Sequence, residues 1–359
     1  MSDNPKEADK QMEKAIFISG DCWLAVFHLL SPAQLGLQIA LISHRFDRRV
    51  DEHFKTRKWT LKKKISIREK IGVNGAKKMK IVNAKGKALP IPKKPLPNKV
   101  IGFGSIYIYF FNQNVLNFLC RFHRFFATCA TQLFFCTENV RISAFIVRNI
   151  WPMLKDSICE MYLTAVNLGQ ISQLAPSMLA DCPALRFVAF DGGISLEFPP
   201  SADGSANASE DGQLVAKWLF SPRHDNLMKN LNIENSTVEQ WLTNVEHIKA
   251  AFSNAFSPVA FIIFIDFPPS SSIDSVVPFK LTNQLTGEQL KMALSKTNAN
   301  GFMLLRCPIE EGSEKKLEKA MEEFFVTTVR RNKIDIFIGD DGVDEGLLDG
   351  FPGPNGQQQ

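Results

Sequence analysis

The sequence predicts an α+β protein, in which an N-terminal module of three helices precedes an α/β region with alternating short strands and helices. Residues 18–54 show only helical periodicity, with apolar side chains at steps of three and four residues. After residue 100, apolar runs of strand length recur, such as residues 259–267, and amphipathic stretches such as residues 241–252 separate them. The chain of 359 residues, 45% hydrophobic and 22% charged, has room for two or more globular domains.

Two of the three helices in the N-terminal module are predicted directly from spacing. Asp21 is the expected N-cap of the first helix, whose inward face carries Trp23, Leu24, Phe27 and Leu30. The third helix is expected over residues 46–54, with inward side chains at steps of four: Phe46, Val50 and Phe54.

A sharp corner and a second helix are predicted between them. Ser31 can cap this helix, Pro32 fits its first position, and Gln34 stands where a capping box requires it. The apolar residues of this helix exceed what one neighbour can cover, and they are Leu35, Leu37, Ile39, Leu41 and Ile42. Because each large side chain left exposed forfeits about 1.5–3 kcal/mol, the module is expected to have a partner.

These landmarks resemble an F-box, in the corner at residues 30–32 and in the block at residues 42–46, although Ile18 and Ser19 replace the family's opening Leu-Pro pair. The whole chain resembles the F-box domain-containing proteins that form expanded families in nematodes. The resemblance implies docking to a Skp-family adaptor, and through it to a cullin–RING ubiquitin ligase. The adaptor contacts it implies are Ile18, Leu24, Val26, Phe27, Leu30, Pro32, Leu35, Leu37 and Ile42. The alternative is an ordinary amphipathic hairpin of helices inside a larger α domain.

Residues 55–99 are strongly basic, with a lone Glu69 as their acidic residue, and they contain four prolines at positions 90, 92, 95 and 97. We interpret them as a solvated linker, with a nuclear-localisation patch and a phosphate-binding arm as alternatives. Only Trp59 supplies an aromatic ring in this segment, and the remainder of the chain is net negative. Nucleic acid is therefore not expected as a partner.

The F-box is expected at residues 16–54, and the α/β region is expected at residues 100–339. We expect the α/β region to select the target protein. Its clearest unit is a strand, helix and strand within residues 158–190, which resembles a degenerate leucine-rich repeat, although a plain βαβ unit has the same pattern. Further on, a capping-box pattern at residues 286–289 predicts a helix to residue 294, a strand follows at 301–307, a helix at 314–329 and a strand at 334–338. Residues 1–15 and 340–359 are expected to be disordered, and residues 199–212 to form a flexible loop.

No catalytic, metal or cofactor site is predicted. The seven cysteines and six histidines are dispersed, without the spacing of a zinc site, and the phosphate-loop, nucleophile-elbow and EF-hand patterns are missing from the sequence. The most hydrophobic window, residues 106–136, is interrupted by polar and basic residues, so no membrane span is expected. Together with the charged N-terminus, these features predict a cytoplasmic or nuclear protein.

Two classes of function follow. In the first, the chain is the substrate receptor of a Skp–cullin–F-box ligase, which docks its adaptor through residues 18–54 and a protein target, which the sequence does not identify, through the α/β region. In the second, it is an interaction scaffold outside any ligase, with the nucleus as one candidate location, and its F-box-like helices have drifted and only pack internally. The first predicts an exposed apolar face on the first two helices, and the second predicts that this face is buried against residues after Val100.

Overall fold

The structure is a computed structural model that describes residues 18–30, 35, 39, 42–56, 59–71, 77–89, 100–126, 130–192, 196, 210–223, 225, 227–295, 300–310, 312 and 332–349. The chain divides into two compact units. The helical unit comprises residues 1–59 with 97–99, and the sheet unit comprises residues 60–96 and 100–359. The protein is thus a mixed α and β structure, as the sequence predicts.

Two α-helices are described in the helical unit, α1 (Gly20–Leu29) and α2 (His44–Thr56). Helix α2 confirms the predicted third helix of the module. Residues 31–34 of the predicted corner lie outside the described residues, and the predicted second helix is described only at Leu35, Ile39 and Ile42.

The sheet unit contains seven further helices among its described residues: α3 (Gln113–Phe126), α4 (Val140–Asn149), α5 (Trp151–Leu154), α6 (Ala165–Leu174), α7 (Glu210–Phe220), α8 (Val238–Ser253) and α9 (Glu345–Leu348). Its strands are β1 (Trp59–Ile71), β2 (Lys77–Asn83), β3 (Ala88–Leu89), β4 (Val100–Ile108), β5 (Thr131–Cys136), β6 (Ile158–Thr164), β7 (Phe187–Asp191), β8 (Lys229–Glu234), β9 (Phe261–Asp266), β10 (Phe279–Asn283), β11 (Glu288–Leu294), β12 (Gly301–Pro308) and β13 (Asn332–Phe337).

All of these strands belong to one 13-stranded sheet, in the order β10-β11-β12-β9-β8-β7-β6-β5-β13-β4-β1-β2-β3. The seven central strands, from β9 to β4, run parallel. Antiparallel strands extend the sheet at both ends, through β12, β11 and β10 on one side and through the β1–β2–β3 meander on the other. The predicted unit at residues 158–190 is confirmed as β6, α6 and β7. The insertion of β13 between β4 and β5 distinguishes the sheet from a repeat solenoid, in which each repeat contacts only its neighbours.

The two faces of the sheet differ in burial. In β5, Thr131, Leu133 and Phe135 are buried, whereas Gln132, Phe134 and Cys136 are half-buried. We call the face of Leu133 the inner face. In register with it lie Met161, Val188, Leu231, Ile263 and Leu304, all of them buried. We call the opposite face, which carries Phe134, the outer face.

Three predictions about local structure are wrong. The segment at residues 55–99 contains β1, β2 and β3 and is not a simple linker. Residues 288–294 form strand β11 rather than a helix, because Gly287, at φ 67°, closes a hairpin after β10. Residues 340–349 of the predicted disordered tail are folded, since Val343 and Leu348 are buried and Val343 forms a bridge with Phe111.

The predicted loop at residues 199–212 overlaps α7, which begins at Glu210, and residues 199–209 lie outside the described part of the chain. The same holds for the predicted helix at residues 314–329 and for residues 1–15.

Lys229 lies at the start of β8, and its side chain packs against the C-terminal end of α7. Lys229 is only 4% exposed. Its ammonium group donates to the carbonyl oxygens of Trp218 and Ser221, where a helix terminus favours positive charge. Burial, and to a lesser degree the charge of Arg223, lowers the pKa of Lys229 from 10.5 to about 8. The charged form therefore costs stability at neutral pH.

We expect this cost to disappear as the pH rises. Between the folded and unfolded pKa values the unfolded chain binds more protons, so the free energy of unfolding increases with pH in that window. A Lys229→Met variant lacks this titration. Relative to that variant, the free energy of unfolding of the wild-type protein should rise by about 2 kcal/mol from about pH 7.5 to about pH 9.5. Urea unfolding of both proteins at the two pH values measures this gain, and a difference independent of pH would contradict it.

Candidate functional site

Helix α1 begins at a serine cap. The Ser19 hydroxyl accepts a hydrogen bond from the backbone N–H of Cys22 at 3.4 Å, and Ser19 has the extended backbone of an N-cap. The prediction of Asp21 as the cap is therefore wrong by two residues, and Asp21 lies in the first turn, where a carboxylate is favourable.

The inner side of α1 forms the core of the helical unit with α2. Phe27, Leu35 and Val50 are buried at its centre. Half-buried side chains pack around them: Trp23, Leu24, Leu30, Ile39, Phe46 and Phe54. The Trp23 and Phe46 rings meet edge to face with their centroids 4.7 Å apart. The inward steps of four residues predicted for α2 are confirmed.

The nine residues predicted to contact a partner fall into different environments. Phe27 is 0% exposed and Leu35 is 1% exposed, so both side chains pack inside the unit. Leu24 and Leu30 are half-buried against the same core. Those that are exposed are Ile18, Val26 and Ile42, and those outside the described residues are Pro32 and Leu37.

Helix α1 is apolar on its outer side as well. Steps of four and three residues place Cys22, Val26 and Leu29 on one side of the helix, and Ile18 precedes them by a further four. Ile18 is 40% exposed, Val26 42% and Leu29 86%. We call these four residues the outer stripe of α1. Sequence analysis missed Leu29, although its spacing from Val26 was a usable signal.

Helix α2 is different on its outer side, where its exposed side chains are mostly charged: Arg45, Asp47, Arg48, Asp51 and Glu52. Charged outer faces are the ordinary arrangement for a surface helix. Helix α2 follows that arrangement, whereas α1 exposes a row of apolar side chains beside Asp21 and His28.

Two histidines of the helical unit have packing contacts. The His53 ring is buried against Phe27, with centroids 5.8 Å apart, and its edge-to-face contact with His28 is 5.1 Å between centroids. No group of three or more potential metal ligands occurs among the described residues of the chain.

The buried carboxylates of Glu288 and Asp335 in the sheet unit have structural partners. Glu288 and Arg306 form a buried ion pair, with 2.6 Å between Oε2 and Nη2. The Asp335 carboxylate lies 3.5 Å from the Lys333 ammonium group, and its burial raises the pKa of Asp335. A cavity of about 250 Å³ between α6 and α7 is lined by Ser172, Gln213 and Lys217, among other residues. These three side chains do not form the acid–base pair that a catalytic site would need. These observations leave the outer stripe of α1 as the candidate site.

In the part of the chain that the structure describes, no helix is both long and apolar enough to cross a bilayer. Comparison with family models, with curated proteins and with solved structures finds no match to this chain.

Proposed function

We propose that this protein is the substrate-recognition subunit of a Skp–cullin–F-box ubiquitin ligase. The observation that carries the proposal is the outer stripe of α1, where Leu29 is almost fully exposed on a helix whose other side fills the core. Exposed apolar rows of this kind mark protein interfaces, because covering each large side chain contributes about 1.5–3 kcal/mol.

The occupant we propose is a Skp-family adaptor. The resemblance of residues 18–54 to an F-box implies this partner, and the apolar stripe beside the charged outer side of α2 supports it. In this arrangement the interface has an apolar centre at Val26 and Leu29 and a polar rim, as protein interfaces commonly do. The same proposal places the protein in the cytoplasm or the nucleus, where adaptors and cullins act.

The sheet unit is the proposed target-binding region. Ubiquitin transfer would then depend on proximity, since the ligase supplies the chemistry and this chain holds a target lysine near the charged carrier. The chain itself would be a receptor without catalytic residues.

A binding experiment tests the adaptor contact. We expect wild-type protein to retain purified Skp adaptor in a pull-down and a Val26→Asp, Leu29→Asp double variant to lose it by at least tenfold in affinity. Both side chains are exposed, so two carboxylates there leave the core of Phe27, Leu35 and Val50 intact. Circular dichroism of the variant should match that of the wild type.

A matched control uses an exposed valine and an exposed leucine of the sheet unit, Val277 at 68% and Leu285 at 72%. A Val277→Asp, Leu285→Asp variant should bind the adaptor as the wild type does. If folded wild-type protein fails to bind the adaptor, the ligase proposal is wrong and the alternative, an interaction scaffold outside any ligase, replaces it.

A further inference from the structure

Strands β1 and β2 carry most of their cationic side chains on one face, although Lys77 lies on the other face and buried Val82 lies among the cations. Ile67 of β1 and Ile81 of β2 are paired and buried on the inner side. The outer side carries five cations: Lys64, Arg68, Lys70, Lys78 and Lys80. We call these five residues the cationic ribbon.

The register of the two strands places like charges opposite one another. Arg68 pairs with Lys80, and Lys70 pairs with Lys78, in consecutive positions on the same face. Like charges directly opposite in an antiparallel pair repel and weaken the sheet. This repulsion destabilises the free protein, and it is relieved when an anion binds across the two strands.

Among the described residues, no carboxylate forms an ion pair with Lys70, Lys78 or Lys80. The nearest acidic residue in the sequence, Glu69, points to the other face and pairs there with Lys77 at 3.6 Å. Lys70 and Lys78 are exposed, so their charge is available to a ligand in solution.

Aromatic rings from neighbouring strands adjoin the ribbon. The Lys64 ammonium group lies 4.1 Å from the centre of the Tyr107 ring, and the Arg68 guanidinium group lies 4.8 Å from that of Tyr109. Tyr109 stacks on Phe337 of β13 at 5.7 Å, and Phe337 contacts Phe134 of β5 at 4.9 Å. Tyr109 is 37% exposed, whereas Tyr107, Phe134 and Phe337 are half-buried, so the row of rings is most accessible to solvent at Tyr109.

We propose that the cationic ribbon and this aromatic row bind single-stranded nucleic acid, with phosphates on the lysines and bases against the rings. Cations that track a backbone, next to aromatic side chains on an open sheet, are the combination that single-strand binding uses. The segment at residues 55–99 holds one aromatic ring, and the fold supplies the missing rings from β4, β5 and β13. This revises the expectation that nucleic acid is not a partner.

The test is the affinity of the full-length chain for fluorescent oligothymidine and oligouridine of about 12 nucleotides, a length within known single-strand site sizes. With five cations, the logarithm of the binding constant should fall with the logarithm of salt concentration with a slope of about −3.5, or about −0.7 per cation. A Lys70→Gln, Lys78→Gln variant should bind at least tenfold more weakly at low salt, and its slope should shrink in magnitude by about 1.4. Its melting temperature should not fall, because the substitution removes a repulsion.

The control is a second cross-strand lysine pair on the outer face, Lys280 with Lys291, at the other end of the sheet. A Lys280→Gln, Lys291→Gln variant removes the same charge and should bind as the wild type does. A Tyr109→Leu variant should weaken binding several-fold and leave the salt slope unchanged, because it removes a ring and no charge.

Three results would overturn the proposal: no binding by the wild-type chain, equal weakening by both lysine pairs, or competition by polyglutamate as effective as that by unlabelled oligonucleotide. The last would assign the ribbon to an acidic protein. No residue of the outer stripe of α1 belongs to this surface, so the adaptor proposal and this one can fail separately.

Discussion

Replacing Arg306 by leucine is expected to lower the free energy of unfolding of the sheet unit by about 3–5 kcal/mol, the usual cost of removing one member of a buried ion pair. Arg306 is fully buried, and its Nε and Nη2 atoms lie 3.0 and 2.6 Å from Oε2 of Glu288. Nη2 also donates to the Ser257 carbonyl at 3.0 Å. Without the guanidinium group, Glu288 keeps a donor in the Val259 N–H, at 2.9 Å, but loses its counter-charge.

The double variant Glu288→Leu, Arg306→Leu should recover much of that loss, because a buried ion pair replaced by apolar side chains is often nearly neutral. Urea unfolding of the wild type, both single variants and the double variant gives the coupling between the two residues. Additive effects of the two single variants would show that Arg306 acts through packing on Phe252, 5.2 Å from the ring centre, and not through Glu288.

This ion pair illustrates what the sequence could and could not predict. The strand containing Arg306 is predicted correctly from its apolar run, but Glu288 is predicted in a helix, because residues 286–289 match a capping box. The left-handed backbone of Gly287 and the pairing of Leu290 with Arg306 stabilise the strand instead of the helix. Glu288 and Arg306 are 18 residues apart in the chain, and contact over that distance leaves no mark in a local sequence pattern.

The basic segment shows a second limit. Its many lysines and prolines suggest a linker, yet Ile65, Ile67, Met79 and Ile81 alternate with polar or charged residues at the period of a half-buried strand. The alternation is visible in the sequence, but the interpretation as a linker gave more weight to the number of charged residues. The aromatic row beside this segment could not be predicted from the sequence. Tyr109, Phe134 and Phe337 come together only because β13 lies between β5 and β4 in the sheet.

For the helical unit, spacing predicted the elements better than it predicted the site. Period-four spacing identified α2, whose outer side is charged. Helix α1 is apolar on both sides, so spacing alone could not separate Phe27, which is buried, from Val26, which is exposed. The exposed fraction of each side chain decides which residues can form a partner-binding surface.

Replacing Phe27 by alanine is expected to unfold the helical unit. A buried phenylalanine replaced by alanine costs about 3–5 kcal/mol, and a unit of this size has little stability to lose. Phe27 lies at the centre of its core, beside Leu35, Val50 and the His53 ring. Hydrogen exchange should show the amides of α1 and α2 losing their protection, and adaptor binding should be lost with them.

The matched control is Leu29→Ala in the same helix, where the side chain is 86% exposed and substitution should change stability by less than about 0.5 kcal/mol. That variant should keep amide protection while weakening adaptor binding, whereas Phe27→Ala should lose both. Because the two residues are both apolar and two positions apart, their opposite behaviour would separate the core of the unit from its docking surface. Protected amides in Phe27→Ala would instead show that the helical unit does not depend on this core, and equal adaptor binding by Leu29→Ala and wild type would remove Leu29 from the interface.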